Sequence, residues 1–165
     1  IIEVNRKEID RRRFVMQPFA WEHVEDAALQ VNGYTREQIR EFPEPQETYQ
    51  DVIAFLDQYI DKFDTTDKLY PSGQNVQFDI GFLEAFFGKN GDKYYGSYFF
   101  RHHLDTMAVA MVKKYRQPEW AVRNFSLASI AKALGVDVPA EDLHTALADA
   151  ELAMNTFHTF FSPKT

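Results

Sequence analysis

Cysteine is absent from the chain, so disulfides and thiolate metal centres are excluded, and a reducing compartment, the cytoplasm, is the expected location. Long apolar runs are absent as well. The longest, Met107 to Val112 and Phe82 to Phe87, fall far short of the roughly 20 residues a membrane helix needs. They read as core, and a soluble protein without a membrane partner is expected. A basic segment followed by an apolar one, the mark of a secretory signal, is missing too. Low-complexity tracts and internal repeats are lacking, which argues against disorder and repeat architectures. Positive charge is scarce: 18 Lys and Arg stand against 25 Asp and Glu, a net charge of −7. That balance excludes a broad electrostatic grip on duplex nucleic acid, whose phosphates are held by cationic side chains. A short strand end can still bind, with divalent cations supplying the positive charge at the point of contact.

What is present suits one globular domain over 1–165, since 45% of residues are hydrophobic and 15% aromatic, enough for one substantial core. Ile1 to Val4 reads as a strand already under way, so a preceding segment is expected. A charged turn from Asn5 to Asp10 and a second strand from Arg11 to Gln17, closed by Pro18, complete a hairpin. Glu22 to Gln30 is helical in composition and stops at Asn32-Gly33; Thr35 with Glu37 and Gln38 signals a short capped helix. From Gln46 to Phe63, Tyr49, Val52, Ile53, Leu56, Tyr59, Ile60 and Phe63 recur at three- and four-residue steps, which predicts one amphipathic helix. Asp64 to Lys68 is a polar turn, and Leu69 to Gly73 a short strand leading into Asn75. A helix from about Phe78 to Phe86 ends near Gly88. The aromatic stretch Lys93 to Phe100 carries no clear period. Asp105 or Thr106 caps a helix to about Tyr115, and Ser126 another to Leu134, stopped by Gly135. A last helix starts near His144 or Thr145, with Leu147, Ala150, Met154, Phe157 and Phe161 on its inner face. Strands first and helices interleaved predict an α/β layer architecture.

Two segments stand out for chemistry, Asn75-Val76-Gln77-Phe78-Asp79 and His144-Thr145-Ala146-Leu147-Ala148-Asp149. In this order and spacing they resemble the second and third motifs of the DEDD-type 3′-5′ exonucleases, the DnaQ-like group with a histidine in its third motif. Val31 to Thr35, Leu104-Asp105-Thr106, and Ser126-Leu127 leading to Leu134-Gly135 fall where that family has similar stretches, so the resemblance covers nearly the whole chain. It implies a ribonuclease H-like mixed sheet flanked by helices. It also implies removal of nucleotides from single-stranded 3′ ends, DNA favoured over RNA, with two divalent cations, magnesium or manganese. By the same resemblance Asp79 and Asp149 hold the metal, His144 is the general base, and Asn75 and Phe78 line the substrate pocket. A polymerase, or another replication or repair protein, is an implied partner.

The family's first motif, an aspartate and a glutamate two residues apart on an early central strand, has no counterpart ahead of Ile1 in this chain, and Glu3 does not replace it. The expectation is therefore a sheet without its first central strand, with two of four carboxylates and little activity in these residues alone. An exonuclease-like binding or scaffold domain without catalysis is the alternative. The residues by themselves allow plainer roles. Asp79 and Asp105 would serve as helix caps, and His144 and Asp149 as solvated residues of an amphipathic helix. His102 and His103, on a strand, would point to opposite faces. Arg11 to Arg13, Lys113, Lys114 and Arg116 are open to phosphate contact or plain solvation, and Tyr94 to Phe100 to base stacking or core packing.

Overall fold

The first reversal of the chain takes two residues. Asn5 and Arg6 both adopt left-handed backbone, with φ of 53° and 64°, the arrangement whose twist matches a tight antiparallel hairpin. They join β1 (Ile2–Val4) to β2 (Lys7–Asp10), with a register shift between Ile2 and Glu3. The turn is thus shorter than the charged stretch suggested, and Arg11 to Gln17 is not a strand. Asp10 ends the ladder by accepting the Arg11 N–H at 2.6 Å, and Gln17 donates instead to the carbonyls of Arg40, Phe42 and Pro43.

A computed structural model describes residues 1–138 and 145–162. The chain divides into two compact units, one of Ile1–Arg12, Tyr70–Ile80 and His102–Thr165, the other of Arg13–Leu69 and Gly81–Arg101. Among the described residues, no helix is long and apolar enough to cross a membrane.

In the second unit a 3-10 turn at Trp21–His23 precedes α1 (Asp26–Asn32), so the helical stretch that the composition suggested is split. Gly33 closes α1 in the left-handed conformation that favours glycine, as Gly135 does for a later helix. α2 (Arg36–Arg40) opens on a capping box: Thr35 Oγ1 accepts from the Gln38 N–H, and Gln38 Oε1 accepts from the Thr35 N–H. α3 (Pro45–Leu56) begins with proline at its first position, where no intrahelical N–H is needed. It stops seven residues before Phe63. The apolar period runs on through Tyr59 and Ile60, but their N–H groups return to Leu56 O in turns, and Phe63 is 86% exposed. Asp57, at the helix end, accepts from the Tyr98 hydroxyl at 2.8 Å and pairs with Lys62 at 3.1 Å.

α4 (Gln77–Lys89) carries Phe87, 1% exposed, into the aromatic core of the second unit. Tyr49, Tyr95, Tyr98 and Phe99 present their rings to it at 5.5 to 6.4 Å. Tyr95 and Tyr98 belong to a single helical turn, α5 (Tyr95–Tyr98). The aromatic run is therefore core material, with Tyr94 outside it at 73% exposure. Phe82, expected inside, is exposed.

The first unit contains the hairpin and a parallel pair, β3 (Ser72–Gly73) with β4 (Leu104–Asp105). Its helices are α6 (Thr106–Arg116), α7 (Leu127–Leu134) and α8 (Ala146–Phe160), which pack on one another, while α8 also lies against β3. Ala110, Ile130 and Thr156 are fully enclosed. Met111 and Val112, expected in the core, are exposed. On α8 the buried line runs through Leu152, Ala153 and Thr156 rather than the predicted face: Ala150 is exposed and Phe161 lies beyond the helix end. Small residues on that line let neighbouring elements approach closely, and the larger Leu147, Met154 and Phe157 flank it half-buried. The result is a helix-rich α/β protein. This agrees with the expected ribonuclease H-like mixed sheet flanked by helices and lacking its first central strand: the sheet is small, and the described strands form two pairs, one antiparallel and one parallel.

Candidate active site

β3 and β4 are only two residues each, paired Ser72 with Leu104 and Gly73 with Asp105. Both strands run directly towards helices, β3 through Gln74 to Val76 into α4 and β4 straight into α6. Ligands of open α/β sheets gather at such carboxyl ends. Asn75 makes the bend, with φ of 53°, a left-handed conformation that asparagine tolerates better than most residues. Its carbonyl accepts the Phe78 N–H at 3.0 Å, and Val76 O accepts that of Ile80 at 2.9 Å, so α4 starts at once. Gln74 anchors the bend from its other side, donating to Phe125 O at 2.7 Å.

This local path places Asn75, Phe78 and Asp79 together. Phe78 is 63% exposed. Asp79 lies in the first turn of α4, not in the capping position before it, so the plain capping role does not describe it. The residue is exposed, yet the protein atoms around its carboxyl hold its pKa above the ordinary carboxylate value. The negative charge of Asp105 adds to this rise, and the residue's own backbone N–H opposes it.

Asp105 is the cap that the sequence indicated, accepting the Met107 N–H at 2.8 Å through Oδ1. It does more. The same oxygen accepts from Asn75 N–H at 3.1 Å, and Oδ2 accepts from Val76 N–H at 3.2 Å. No sequence signal indicated that link, because it depends on the pairing of two very short strands. With its oxygens turned to backbone donors, Asp105 is poorly disposed to be a metal ligand.

Asp149 stands in the first turn of α8 and is exposed. Thr145 caps that helix, its Oγ1 accepting from Ala148 N–H at 3.3 Å, and its carbonyl accepts from Asp149 N–H at 3.0 Å. His144, the remaining member of the expected set, lies outside the described residues. α8 is tied to the hairpin: Arg11 bridges Glu8 at 2.7 Å and Glu151 at 2.8 Å, His158 meets Glu3 at 2.7 Å, and Arg6 donates to His158 O.

The other candidates have local tasks. Lys113 sits 5.3 Å from the Trp120 ring and Lys114 donates to the carbonyls of Pro118 and Trp120, while Arg13 lies over Tyr34. His102 lies in a bend and His103 in irregular backbone just before β4, so neither is on a strand. A cleft of about 630 Å³ in the second unit, lined by Tyr49, Lys62, Phe63, Asp92 and Tyr98 among others, contains neither Asp79 nor Asp149.

Among the described residues, no group of three or more His, Asp or Glu is arranged to hold a metal ion. The donor chemistry of Asp79 and Asp149 nonetheless suits a hard cation such as magnesium, which commonly takes one or two carboxylates and completes its shell with water and substrate phosphate.

A search of curated proteins finds no match. The family model described as exonuclease (RNase_T) matches residues 1–157, so it embraces the strand–helix junction at Asn75 to Asp79 and the opening of α8. The chain thus belongs to the exonuclease family, the DEDD-type nucleases.

Proposed function

We propose that the protein is a 3′-5′ exonuclease acting on single-stranded 3′ ends, with DNA favoured over RNA. The observation that carries this reading is the placement of Asp79 and Asp149. Both residues belong to the first unit, Asp79 in the first turn of α4 and Asp149 in that of α8, and α8 lies against β3, the strand that leads into α4.

In this reading the two carboxylates hold divalent cations, magnesium or manganese. When bound, these ions offset phosphate charge and make water a better nucleophile. Asn75, bent into left-handed backbone, offers its side-chain amide to the substrate by hydrogen bonding, and the exposed Phe78 ring packs against a base or sugar. His144 accepts the proton of the attacking water, a task an imidazole performs near neutral pH. With a net charge of −7, the protein engages a strand end rather than a long duplex. A polymerase or another replication or repair protein is the proposed partner.

The test is hydrolysis of an end-labelled single strand by the full-length natural protein with magnesium or manganese. Asp149→Asn and His144→Ala are each expected to lower the rate at least about 100-fold. Both variants cutting at the wild-type rate would overturn the assignment. The alternative reading is a binding or scaffold domain without catalysis. A wild type that retains the strand but leaves it intact with either metal would establish that role.

A further inference from the structure

We propose that Asp105 is a positioning residue for the exonuclease reaction, its carboxylate clamping the backbone of Asn75 and Val76 so that α4 starts where Asp79 is needed. The proposal rests on the functional reading above.

The bend from β3 into α4 has little ladder to hold it, since β3 and β4 pair over two residues only. Asn75 in addition adopts a φ of 53°, which an L-residue takes up only at a cost and keeps where its surroundings enforce it. Asp105 supplies that enforcement. Opposite Gly73 in the register, it accepts the N–H of Asn75 at 3.1 Å on one oxygen and that of Val76 at 3.2 Å on the other. Asp79 follows three residues after Val76, inside the helical turn whose direction those two amides set. The bond to Met107 N–H at 2.8 Å ties the same carboxylate to α6, so the bend takes its position from a second helix. An aspartate serving α6 alone would need only the Met107 bond.

Asp105→Ser separates the two tasks in the full-length natural protein. A serine hydroxyl caps α6 nearly as well as aspartate, but one short oxygen does not span both Asn75 and Val76. The expected result is a melting temperature lower by roughly 2–8 °C from the lost amide bonds, amide hydrogen exchange at Asn75 and Val76 at least about tenfold faster, and kcat on a labelled strand lower by about 10- to 100-fold with KM little changed. Asp105→Asn, which keeps one acceptor oxygen, is expected to fall between wild type and serine in both readouts. It also provides the test if the serine variant fails to fold. Unchanged exchange at Asn75 and Val76 overturns the clamp, and a wild-type kcat in a variant whose exchange has quickened overturns the positioning role. A wild type that cleaves no strand removes the functional reading instead, and amide exchange still decides whether the clamp exists.

Discussion

Tyr95→Phe is expected to make the protein more stable, although it deletes a polar group. The Tyr95 hydroxyl is buried and finds no hydrogen-bond partner among the described residues, so the wild type leaves a desolvated donor uncompensated. Such a group costs about 1 to 3 kcal/mol. Phenylalanine keeps the ring contacts, the stack on Phe99 at 4.7 Å and the edge contact with Phe87 at 5.6 Å, so the substitution removes the penalty and little else. Taking the low end, about 1 kcal/mol, the melting temperature should rise by roughly 2–4 °C for a chain of this length, read by circular dichroism near neutral pH. Alkaline pH gives a second readout. Burial, and then the charge of Glu84, push the Tyr95 phenol from 10.0 up to about 12, so the folded protein holds this proton more tightly than the unfolded chain. The resulting stability is complete below pH 10 and is lost as pH climbs through about 12. The variant should lose less over that window, with the slope that remains coming from Tyr49 and Tyr98, whose phenols burial also raises. A melting temperature that falls or stays put, with an unaltered alkaline slope, would refute the reasoning.

Asp79→Asn should abolish most nuclease activity while the melting temperature holds or rises slightly, because the protein atoms around this exposed carboxyl and the charge of Asp105 disfavour its ionised form; a clear fall in the melting temperature would contradict this. Thr35→Ala should cost about 1 kcal/mol by dismantling the capping box of α2, and Thr35→Ser should restore it in the same denaturation assay. Ile130→Ala, at a fully enclosed position, should cost about 2–5 kcal/mol against about 0.5–1.5 for Ile130→Val; equal losses in a urea titration would mean that the site is loosely packed.

The features legible from sequence were those whose physics is local. Thr35 with Gln38, Ser126, Thr145, Gly33 and Gly135 all mark helix ends where the structure has them, because a cap and the amide it serves lie within a few residues. The ends that misled were decided by distant partners. α3 stops at Leu56 although the apolar period continues, and the Asp57 after it bonds Tyr98, 41 residues away. The inner face of α8 was misjudged because packing by α6, α7 and β3 selects Ala153 and Thr156 over the larger apolar side chains beside them. At the site, motif spacing located the strand–helix junction at Asn75 to Asp79. Spacing could not reveal Asp105 beneath it, since hydrogen bonds spanning 29 and 30 residues leave no local pattern.

Close polar contacts, Glu3 with His158 and Arg6 with the His158 carbonyl, join the hairpin at the start of the chain to α8, and the Arg11–Glu151 ion pair adds charge attraction. Attractions of this kind at a solvated surface fade as ionic strength rises and the Debye length shrinks to about 3 Å at 1 M. Added electrolyte would loosen the first ten residues from the helix that bears Asp149, and it would also weaken the hold on a phosphate chain. A salt titration of nuclease rate therefore convolutes an internal fastening with an external one, and a charge-neutral pair at 11 and 151 is the control that separates them.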